Sequence, residues 1–451
     1  MATSLIILAA GQGSRMKSDL PKVLHKVAGA PLLVHAMESG ASLDPERIVV
    51  VAGVGADLVE AAAITHRDDV VTVRQDEQLG TAHAVDQAKE ALSDLSGPAI
   101  VLYGDTPFIK PETLENMIEA QKTNDVVVLG FEAADPGRYG RLIVENGSLQ
   151  KIVEFKDAND TERAVTLCNS GVICADRAVL FDLISKVGND NASGEYYLTD
   201  IVGIAREKGL TATAVSCPES ETQGINSRAE LAVAERSFQE ETRAGLLDMG
   251  VTMTAPETVF FAYDTVVGRD AIIEPNVVFG PDVTIESNAA IRAFSHLEGC
   301  HVARDAVVGP YARLRPGAEL SEGVKVGNFC EVKNAVIAEG AKVNHLSYIG
   351  DADIGRDSNI GAGTITCNYD GVFKHKTTIG ERAFIGSNTM LVAPVTIEDE
   401  AMTASGSVIT KDVPAESLAI ARGAQVVKEG LAKRMMDRLR ALKAKQKKDN
   451  S

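Results

Sequence analysis

The sequence predicts two folds in one chain, an α/β domain followed by a parallel β-helix. Short apolar runs alternate with helical patterns through residues 1–227, and an apolar residue recurs at every sixth position beyond residue 267. A long helical pattern over residues 228–250, closed by Gly250, separates the two periods. We therefore expect a first domain at 1–227, a linker helix at 228–250, and a β-helix domain with a basic C-terminal tail at 251–451.

Alternating strands and helices define the first domain. Five apolar runs predict strands: "SLIILAAG", "RIVVVAG", "DVVTVRQ", "AIVLYGD" and "DVVVLGFEA". Helical patterns stand between them, for example "GTAHAVDQAKEALSDL" and "PETLENMIEAQK". This alternation predicts a doubly wound, mostly parallel, Rossmann-like sheet with helices on both faces. The Asn146-Gly147 pair inside "RLIVENGSLQKIV" departs from it and predicts a β-hairpin.

A six-residue period governs the second half. Of 23 periodic positions, only Thr403 is not apolar. A parallel β-helix explains this period, because each hexapeptide forms one strand and turns one side chain inward. The period breaks at "GAGTITCNYDGVFKHKTT", which predicts an extruded loop. The inward positions are Val267, Ile273, Phe279, Ile285, Ile291, Leu297, Val302, Val308, Leu314, Leu320, Val326, Val332, Ile337, Val343, Ile349, Ile354, Ile360, Ile379, Ile385, Leu391, Ile397, Thr403 and Ile409.

Composition limits the cellular context and the partners. The net charge of −18 argues against nucleic-acid binding, and no apolar run is long enough for a membrane span. The six cysteines have no metal-site or disulfide-framework spacing, so we expect free thiols and a cytoplasmic protein. Residues 428–450 hold nine Lys/Arg against three Asp/Glu, and their apolar stripe predicts a helix resting on the acidic body.

Two stretches suggest chemistry. The glycine turn "LAAGQGSRM" follows the first strand but matches neither the dinucleotide fingerprint nor the P-loop, so alone it is a weak phosphate signal. In the β-helix, Arg315, Lys333, His345 and Tyr348 fall within about two coils of each other and near the extruded loop. Cations that converge on an acidic protein suit a phosphorylated substrate.

Motifs along nearly the whole chain carry a family resemblance. They include "LAAGQGSRM", "DLPKVLH", "QLGTAHA", "YGDTPF", "RYGRLIV", "NSGV", "GINSRAEL", "NHLSYIGDADIG" and "GAGTITCNYDG". The chain resembles the bifunctional bacterial GlmU enzymes, which combine N-acetylglucosamine-1-phosphate uridyltransferase with glucosamine-1-phosphate N-acetyltransferase. The resemblance implies a left-handed β-helix, a homotrimer, and a role in making UDP-N-acetylglucosamine for peptidoglycan and lipopolysaccharide precursors.

For the first domain the resemblance implies a uridyltransferase site that uses UTP and Mg²⁺. Asp105 and Asn226 would be the metal ligands, and Arg15 and Lys22 would face the phosphates. Gln75, Gly80 and Thr81 would contact the uracil. Leu8, Ala9, Ala10 and Gly11 would contact the nucleotide. Gly140, Glu154 and Asn169 would hold the sugar. Tyr103 and Gly104 are also expected to contact nucleotide or sugar.

For the second domain the resemblance implies an acetyltransferase site with acetyl-CoA as donor. His345 would be the general base. The residues expected to hold the sugar phosphate are Arg315, Lys333, Tyr348, Asn359 and Lys374. The residues expected to line the coenzyme are Ala362, Asn368, Tyr369, Ser387, Ser405 and Arg422. The family's acetyltransferase sites lie between copies of a trimer, so the extruded loop is expected to reach a neighbouring chain.

Two alternatives stay open at this point. A single-activity sugar-nucleotide pyrophosphorylase would use its β-helix only to oligomerise or to regulate. A non-catalytic regulatory subunit would keep the fold without the chemistry. The long β-helix with the His345 cluster argues against the first alternative, and the presence of Lys22, Asp105 and Asn226 argues against the second.

Overall fold

The computed structural model describes residues 3–449, which divide into two compact units. The first unit runs to Met249 and also takes in two later segments, Phe260–Thr265 and Phe279–Asp282. The second unit consists of Gly250–Val259, Val266–Val278 and the chain from Val283 onward. The domain boundaries expected from the sequence stay a prediction.

A nine-stranded mixed sheet forms the centre of the first unit. Across the sheet the order is β11-β7-β10-β6-β1-β4-β5, with β10 antiparallel to both its neighbours and the β8–β9 hairpin beside it, while β2 and β3 form a separate ribbon. The strands are β1 (Ser4–Ala9), β2 (Lys26–Val27), β3 (Ala30–Pro31), β4 (Arg47–Ala52), β5 (Val71–Arg74), β6 (Pro98–Tyr103), β7 (Val126–Glu132), β8 (Arg141–Glu145), β9 (Ser148–Val153), β10 (Leu167–Asp176) and β11 (Ala212–Ser216).

Eight helices belong to the described part of the first unit, and short 3-10 turns connect several of them. The helices are α1 (Leu32–Ala41), α2 (Ala56–His66), α3 (Thr81–Asp86), α4 (Pro111–Gln121), α5 (Asp160–Arg163), α6 (Arg177–Ile184), α7 (Asp200–Glu207) and α8 (Arg228–Asp248). The 3-10 turns are Ser14–Met16, Lys22–Leu24, Glu90–Leu92 and Glu219–Thr222.

Most of the predicted elements of the first half are confirmed. The five apolar runs are strands, and the Asn146-Gly147 hairpin forms with both residues at positive φ. The helix expected over "GTAHAVDQAKEALSDL" is wrong in length, because α3 ends at Asp86 and a 3-10 turn follows at Glu90–Leu92. Central strands such as β1 are buried along their whole length, which agrees with helices covering both faces.

The second unit is a parallel β-helix with strands on three flat faces. A 3-10 turn at Pro256–Thr258 lies between its first two strands along the chain, Thr252–Met253 and Val266–Val267. The first face is Thr252–Met253, Ile272–Ile273, Ala290–Ile291, Val307–Val308, Lys325–Asn328, Lys342–His345, Asn359–Ile360, Phe384–Ile385, Met402–Thr403 and Leu418–Ala419. The second is Val266–Val267, Val283–Ile285, Cys300–Val302, Ala318–Leu320, Thr377–Ile379 and Val395–Ile397. The third is Val278–Phe279, His296–Leu297, Arg313–Leu314, Ile365–Cys367, Met390–Val392 and Val408–Ile409. Two longer strands, Glu331–Ile337 and Tyr348–Ile354, contribute to both of the last two faces.

Every predicted inward position of the β-helix is buried, including Thr403. Each buried aliphatic side chain stabilises the coil by about 1.5–3 kcal/mol relative to exposure. Thr403 is tolerated because its hydroxyl lies 3.0 Å from the Gly386 nitrogen and 3.2 Å from the Thr389 hydroxyl. The prediction of a hexapeptide β-helix is therefore confirmed.

One corner of the β-helix carries large apolar side chains in a strained conformation. Phe294, Tyr311, Phe329 and Leu346 occupy the same corner in four successive coils, each with φ between 53° and 61°. Bulky residues avoid this left-handed region, which favours Gly, Asn and Asp. The first three rings stack at centroid distances of 4.9 and 5.3 Å, and each of the four side chains is about half exposed or more. We call these four residues the corner ladder.

The basic C-terminal segment forms the predicted helix, α9 (Leu431–Asp449). The expectation that it rests on the acidic body is wrong, because Met435, Leu439 and Leu442 of its apolar stripe are exposed. No helix within residues 3–449 is both long and apolar enough to cross a membrane. All six cysteines are free thiols, as predicted.

Candidate active sites

The glycine turn and Asp105 lie at one edge of the central sheet. Strands β1 and β6 are parallel neighbours, so Ala9 and Tyr103 end at the same edge. The Gly104 N–H donates to the Leu8 carbonyl at 3.0 Å, which joins the two strand ends. Open α/β sheets bind ligands at the carboxyl ends of their strands. The sequence therefore brings the turn and the candidate metal ligand together.

Lys22, Asp105 and Asn226 form a cluster at this edge. The Lys22 ammonium donates to Asp105 Oδ2, and it donates to Asn226 Oδ1 at 2.9 Å. The Asp105 carboxylate and the Asn226 amide oxygen therefore both contact the same positive group, the Lys22 ammonium. Such oxygen ligands fit Mg²⁺, which takes one or two protein oxygens and completes its octahedron with phosphate oxygens and water. Asp105 and Asn226 are suited to hold that ion, with Lys22 beside it.

A cavity of about 310 Å³ opens beside this cluster. Gln75 is buried at its wall, where its Nε2 donates to the Gly80 carbonyl at 3.1 Å. Gly80 has φ 123°, and a Cβ atom there would lie 2.5 Å from the Tyr196 carbonyl oxygen, so only glycine fits. The predicted residues that line this cavity are Leu8, Ala10, Gly11, Lys22, Gln75, Gly80, Thr81, Tyr103 and Asp105.

A second cavity, of about 570 Å³, shares Thr81 and Tyr103 with the first. Glu154 and Asn169 line it, and the Asn169 N–H donates to the Gly140 carbonyl at 2.9 Å. Burial raises the pKa of Glu154 above its usual value, and a hydrogen bond from Thr199 at 3.3 Å opposes that rise. The structure therefore places Glu154 and Asn169, two of the three residues predicted for the sugar, in one cavity beside the predicted nucleotide cavity.

Five predicted residues line neither cavity, and several lining residues escaped prediction. The five are Ala9, Arg15, Gly104, Gly140 and Asn226. All but Arg15 adjoin a lining residue along the chain or through a hydrogen bond. Arg15 is exposed on the 3-10 turn Ser14–Met16 and lines neither cavity. The unpredicted lining residues include Gln78, Arg138, Glu195 and Tyr197. Gln78 and Arg138 carried a sequence signal, since they stand inside the "QLGTAHA" and "RYGRLIV" motifs. Gln78 Nε2 donates to the Ala10 carbonyl at 2.9 Å.

His345 ends a strand of the first β-helix face and is exposed. Asn328 is its register partner in the preceding coil, and Asn328 Oδ1 lies 3.0 Å from His345 Nδ1. The amide oxygen accepts a hydrogen bond from Nδ1–H, so the neutral imidazole carries its free lone pair on Nε2. Nothing in the sequence near Asn328 pointed to this role, because the partner lies one coil away.

Several residues predicted for the coenzyme stack on the same corner as His345. The His345 carbonyl accepts from the Gly363 N–H of the next coil, and the carbonyls of Ala362 and Ser387 accept likewise from their own next coils. Arg422 Nη1 donates to the Ser405 carbonyl at 2.7 Å. A column one residue wide therefore runs from His345 through Ala362, Ser387 and Ser405 to Arg422.

Cations gather on a different part of the β-helix. The nearby Lys374 ammonium is the main cause of a lowered pKa at Lys333, and Arg315 adds to it. Arg315 also pairs with Glu331 at 2.9 Å. Neighbouring positive charges of this kind attract an anion. A cavity of about 260 Å³ includes Lys374 in its wall.

Asn368 joins the extruded loop to this cationic region. Its Nδ2 donates to the Asp351 carboxylate and lies 3.5 Å from the Tyr348 hydroxyl. Asn334 donates to the same carboxylate at 2.5 Å. Tyr369, in contrast, is 61% exposed on the loop and donates to the Gly371 carbonyl. The structure places Asn368 with the cations rather than on the His345 column.

The predicted sugar-phosphate residues are not all brought together. Asn359 lies on the first face, in register with Lys342 and Phe384. Lys333 lies in Glu331–Ile337, on another face. The cavity that includes Lys374 contains neither Asn359 nor His345. On one copy of the chain, Asn359 and Lys333 therefore lie on different faces of the β-helix.

Comparisons with known proteins agree with this division of the chain. Residues 5–167 match the MobA-like NTP transferase domain, and residues 264–299 and 376–411 match the bacterial transferase hexapeptide repeat. Among solved structures, UDP-glucose pyrophosphorylase complexed with UDP-glucose is similar at a TM-score of 0.44 and 21% identity, covering 53% of this chain and 100% of that one.

Full-length relatives extend the comparison. Bifunctional protein GlmU from Ruegeria sp. (strain TM1040) is 66% identical, covering 98% of this chain and 99% of its own. The proteins of that name from Roseobacter denitrificans and Ruegeria pomeroyi are each 64% identical, covering 99% and 100% of this chain and of their own. The two matching family models define the class of protein: a nucleotidyltransferase domain joined to a bacterial transferase hexapeptide-repeat domain. The chain belongs to the GlmU family of bifunctional enzymes.

Proposed function

We propose that the chain acetylates glucosamine-1-phosphate with acetyl-CoA and then transfers UMP from UTP to the N-acetylglucosamine-1-phosphate formed, releasing pyrophosphate. The observation that carries the uridyl transfer is the convergence of Lys22, Asp105 and Asn226 beside two joined cavities. Family membership supplies the pairing with acetyl transfer, and the His345–Asn328 contact supports it. The product would feed peptidoglycan and lipopolysaccharide precursors.

Uridyl transfer requires alignment and charge neutralisation more than covalent chemistry. Gln75, Gly80 and Thr81 hold the uracil in the smaller cavity, and Lys22 faces the phosphates. Glu154 and Asn169 orient the sugar so that its 1-phosphate oxygen points at the α-phosphorus. The bond to pyrophosphate breaks as the new P–O bond forms. Mg²⁺, when bound by Asp105 and Asn226, supplies positive charge for the phosphate oxygens.

Acetyl transfer requires a base and an anchored sugar phosphate. Arg315, Lys333 and Lys374 hold the phosphate by charge. His345 Nε2 accepts a proton from the glucosamine nitrogen as that nitrogen attacks the acetyl carbonyl. The C–S bond breaks, and coenzyme A leaves as its thiol. The column through Ala362, Ser387, Ser405 and Arg422 lines the coenzyme.

We also infer a homotrimer with acetyltransferase sites shared between copies. Asn359 and the Lys333 cluster lie on different faces of one β-helix, so residues from two copies are needed to complete a pocket. The corner ladder supports a contact between copies, because an exposed apolar stack held in a strained conformation gains its stability when it is covered. Free thiols support a cytoplasmic location.

The test separates the two activities in one preparation. The full chain is incubated with glucosamine-1-phosphate, acetyl-CoA, UTP and Mg²⁺, and free thiol and pyrophosphate are followed separately. We expect both products. Pyrophosphate from supplied N-acetylglucosamine-1-phosphate without any thiol release would indicate a single-activity pyrophosphorylase, and neither product would contradict the proposal.

The first variant for this assay is Asp105→Asn. We expect it to abolish pyrophosphate release, because it removes the carboxylate that fits the metal, and to leave thiol release near the wild-type rate. Normal pyrophosphate release by this variant would contradict the assignment of Asp105.

A further inference from the structure

The candidate metal ligand Asn226 stands directly before helix α8. Ser227 is the N-cap residue, and its Oγ accepts from the Glu230 N–H at 3.2 Å. Glu230 Oε2 accepts in return from the Ser227 N–H at 3.1 Å. These two bonds form a capping box, which satisfies backbone groups that a helix start leaves unpaired. The capping box alone explains why Glu230 folds back over the helix start.

Glu230 makes one bond more than a capping box requires. Its Oε2 also accepts from the Asn226 N–H at 2.6 Å, a shorter contact than the one to Ser227. A carboxylate bond to a backbone N–H is charge-assisted and roughly twice as strong as a neutral one. The shorter of the two bonds that Glu230 accepts therefore comes from Asn226, the candidate metal ligand, and the longer one comes from Ser227, the N-cap residue of α8.

Asn226 is thus fixed from both sides. On its N-terminal side, the Ile225 N–H donates to the Asp105 carbonyl at 2.9 Å, which ties the segment to the other candidate ligand. On its C-terminal side, Glu230 holds the Asn226 N–H. The side-chain Oδ1 that results from this placement is the atom that accepts from Lys22.

We propose that Glu230 is a positioning residue for cation binding, because it holds Asn226 Oδ1 against Asp105. This inference rests on the proposed function, which assigns Asp105 and Asn226 to the metal. Partners that orient a metal ligand from outside contribute about 10–100-fold to metal affinity. Without the Glu230 carboxylate, the Asn226 backbone N–H loses its hydrogen bond. Asn226 Oδ1 then occupies a wider range of positions, most of them too far from Asp105 for both oxygens to bind one cation.

The competing explanation is that Glu230 only stabilises helix α8. Ser227→Ala provides the matched control, because it removes the other half of the capping box and leaves the Glu230–Asn226 bond in place. Glu230→Ala removes both of the bonds that its carboxylate makes. Glu230→Gln keeps an oxygen that accepts from the Asn226 N–H, so it tests rescue by a conservative change.

The experiment measures Mn²⁺ binding to the full chain by electron paramagnetic resonance, in the presence of a non-hydrolysable UTP analogue. Thermal midpoints and thiol release are recorded for each variant. We expect Glu230→Ala to weaken Mn²⁺ binding by about 10-fold or more, and Glu230→Gln to stay within about threefold of wild type. We expect Ser227→Ala to lower the thermal midpoint as much as Glu230→Ala does and to keep its Mn²⁺ affinity.

Two outcomes would overturn the inference: unchanged Mn²⁺ affinity in Glu230→Ala, or an equal loss in Ser227→Ala. Asp105→Asn separates this failure from failure of the proposed function. If Asp105→Asn keeps its Mn²⁺ affinity, the metal assignment itself is wrong. If Asp105→Asn loses affinity and Glu230→Ala does not, the metal assignment stands and the role of Glu230 is wrong.

Discussion

At the scale of single residues, a hydrogen bond from the preceding coil selects the free nitrogen of His345. Asn328 Oδ1 accepts from Nδ1, so the neutral ring keeps Nε2 free for the proposed role as base. His345 is exposed at a corner and adds little to the aliphatic core of the β-helix. A change at His345 should therefore affect chemistry and leave folding intact.

We expect His345→Ala to lower acetyl transfer by about 10²–10⁴-fold, the usual contribution of a positioned general base. Uridyl transfer on supplied N-acetylglucosamine-1-phosphate should stay unchanged, because its site lies in the other unit. Both rates and the thermal midpoint are measured on one preparation. A loss of less than about threefold in acetyl transfer would require another base.

Glu154 offers a test through pH. Its carboxyl has a raised pKa in the fold, chiefly because burial disfavours the charged form. The folded state therefore binds the proton more tightly than the unfolded chain, in which the pKa is near 4.5. The resulting stabilisation is fully present below that unfolded value and is lost as pH rises through the folded pKa. At neutral pH the buried carboxylate costs stability.

We expect Glu154→Gln to raise the thermal midpoint at pH 7 by a few degrees, and to raise KM for N-acetylglucosamine-1-phosphate by about 10-fold or more, since a charged hydrogen-bond acceptor is lost. Near pH 4 the midpoint gain should vanish. Calorimetry at the two pH values and steady-state kinetics measure these effects. A midpoint gain that is equal at both pH values would contradict the role of burial.

At the scale of elements, the corner ladder shows a conflict between local preference and assembly. Phe329 has φ 55°, where Asn is favoured, and the same corner in a later coil does carry Asn388 at φ 55°. A Phe in this conformation costs about 1–3 kcal/mol of strain. In the proposed trimer, coverage of the exposed stack by another copy would offset that cost.

We expect Phe329→Asn to leave the thermal midpoint of the isolated copy unchanged or higher, because it relieves strain, and to shift the protein from trimer towards monomer. Val266→Thr is the control, since it changes an exposed apolar residue that lies outside the ladder. Sedimentation equilibrium of both variants gives the answer. A Phe329→Asn trimer as tight as the wild type would exclude the ladder from the contact.

At the scale of the whole molecule, the residues of the two candidate sites lie in different units. Asp105 lies in the first unit and His345 in the second. We expect an equimolar mixture of Asp105→Asn and His345→Ala proteins to make UDP-N-acetylglucosamine after a lag, because the acetylated intermediate diffuses between them. Product is followed over time with each variant alone as reference. If each variant keeps its one activity and the mixture makes no product, the intermediate is not released.

Some features of the molecule can be predicted from the sequence and others cannot. The difference is whether a feature depends on residues that are close together in the chain or far apart. The buried positions of the β-helix follow from a six-residue spacing, since each inward side chain depends only on its own coil. The Lys22–Asp105–Asn226 cluster joins residues 83 and 204 positions apart, so only family resemblance predicts it. The corner ladder could not be predicted, because Phe and Tyr rarely adopt the positive φ that this corner requires.

The separation of Asn359 from Lys333 on one copy has a genetic consequence. In a cell that expresses two mutant alleles, one encoding Asn359→Ala and the other Lys333→Ala, both kinds of chain enter the same proposed trimers. At one kind of junction the two intact residues meet, and a working pocket forms from two defective parents. An allele that carries both changes supplies neither Asn359 nor Lys333, so it restores activity with neither of the single-mutant alleles.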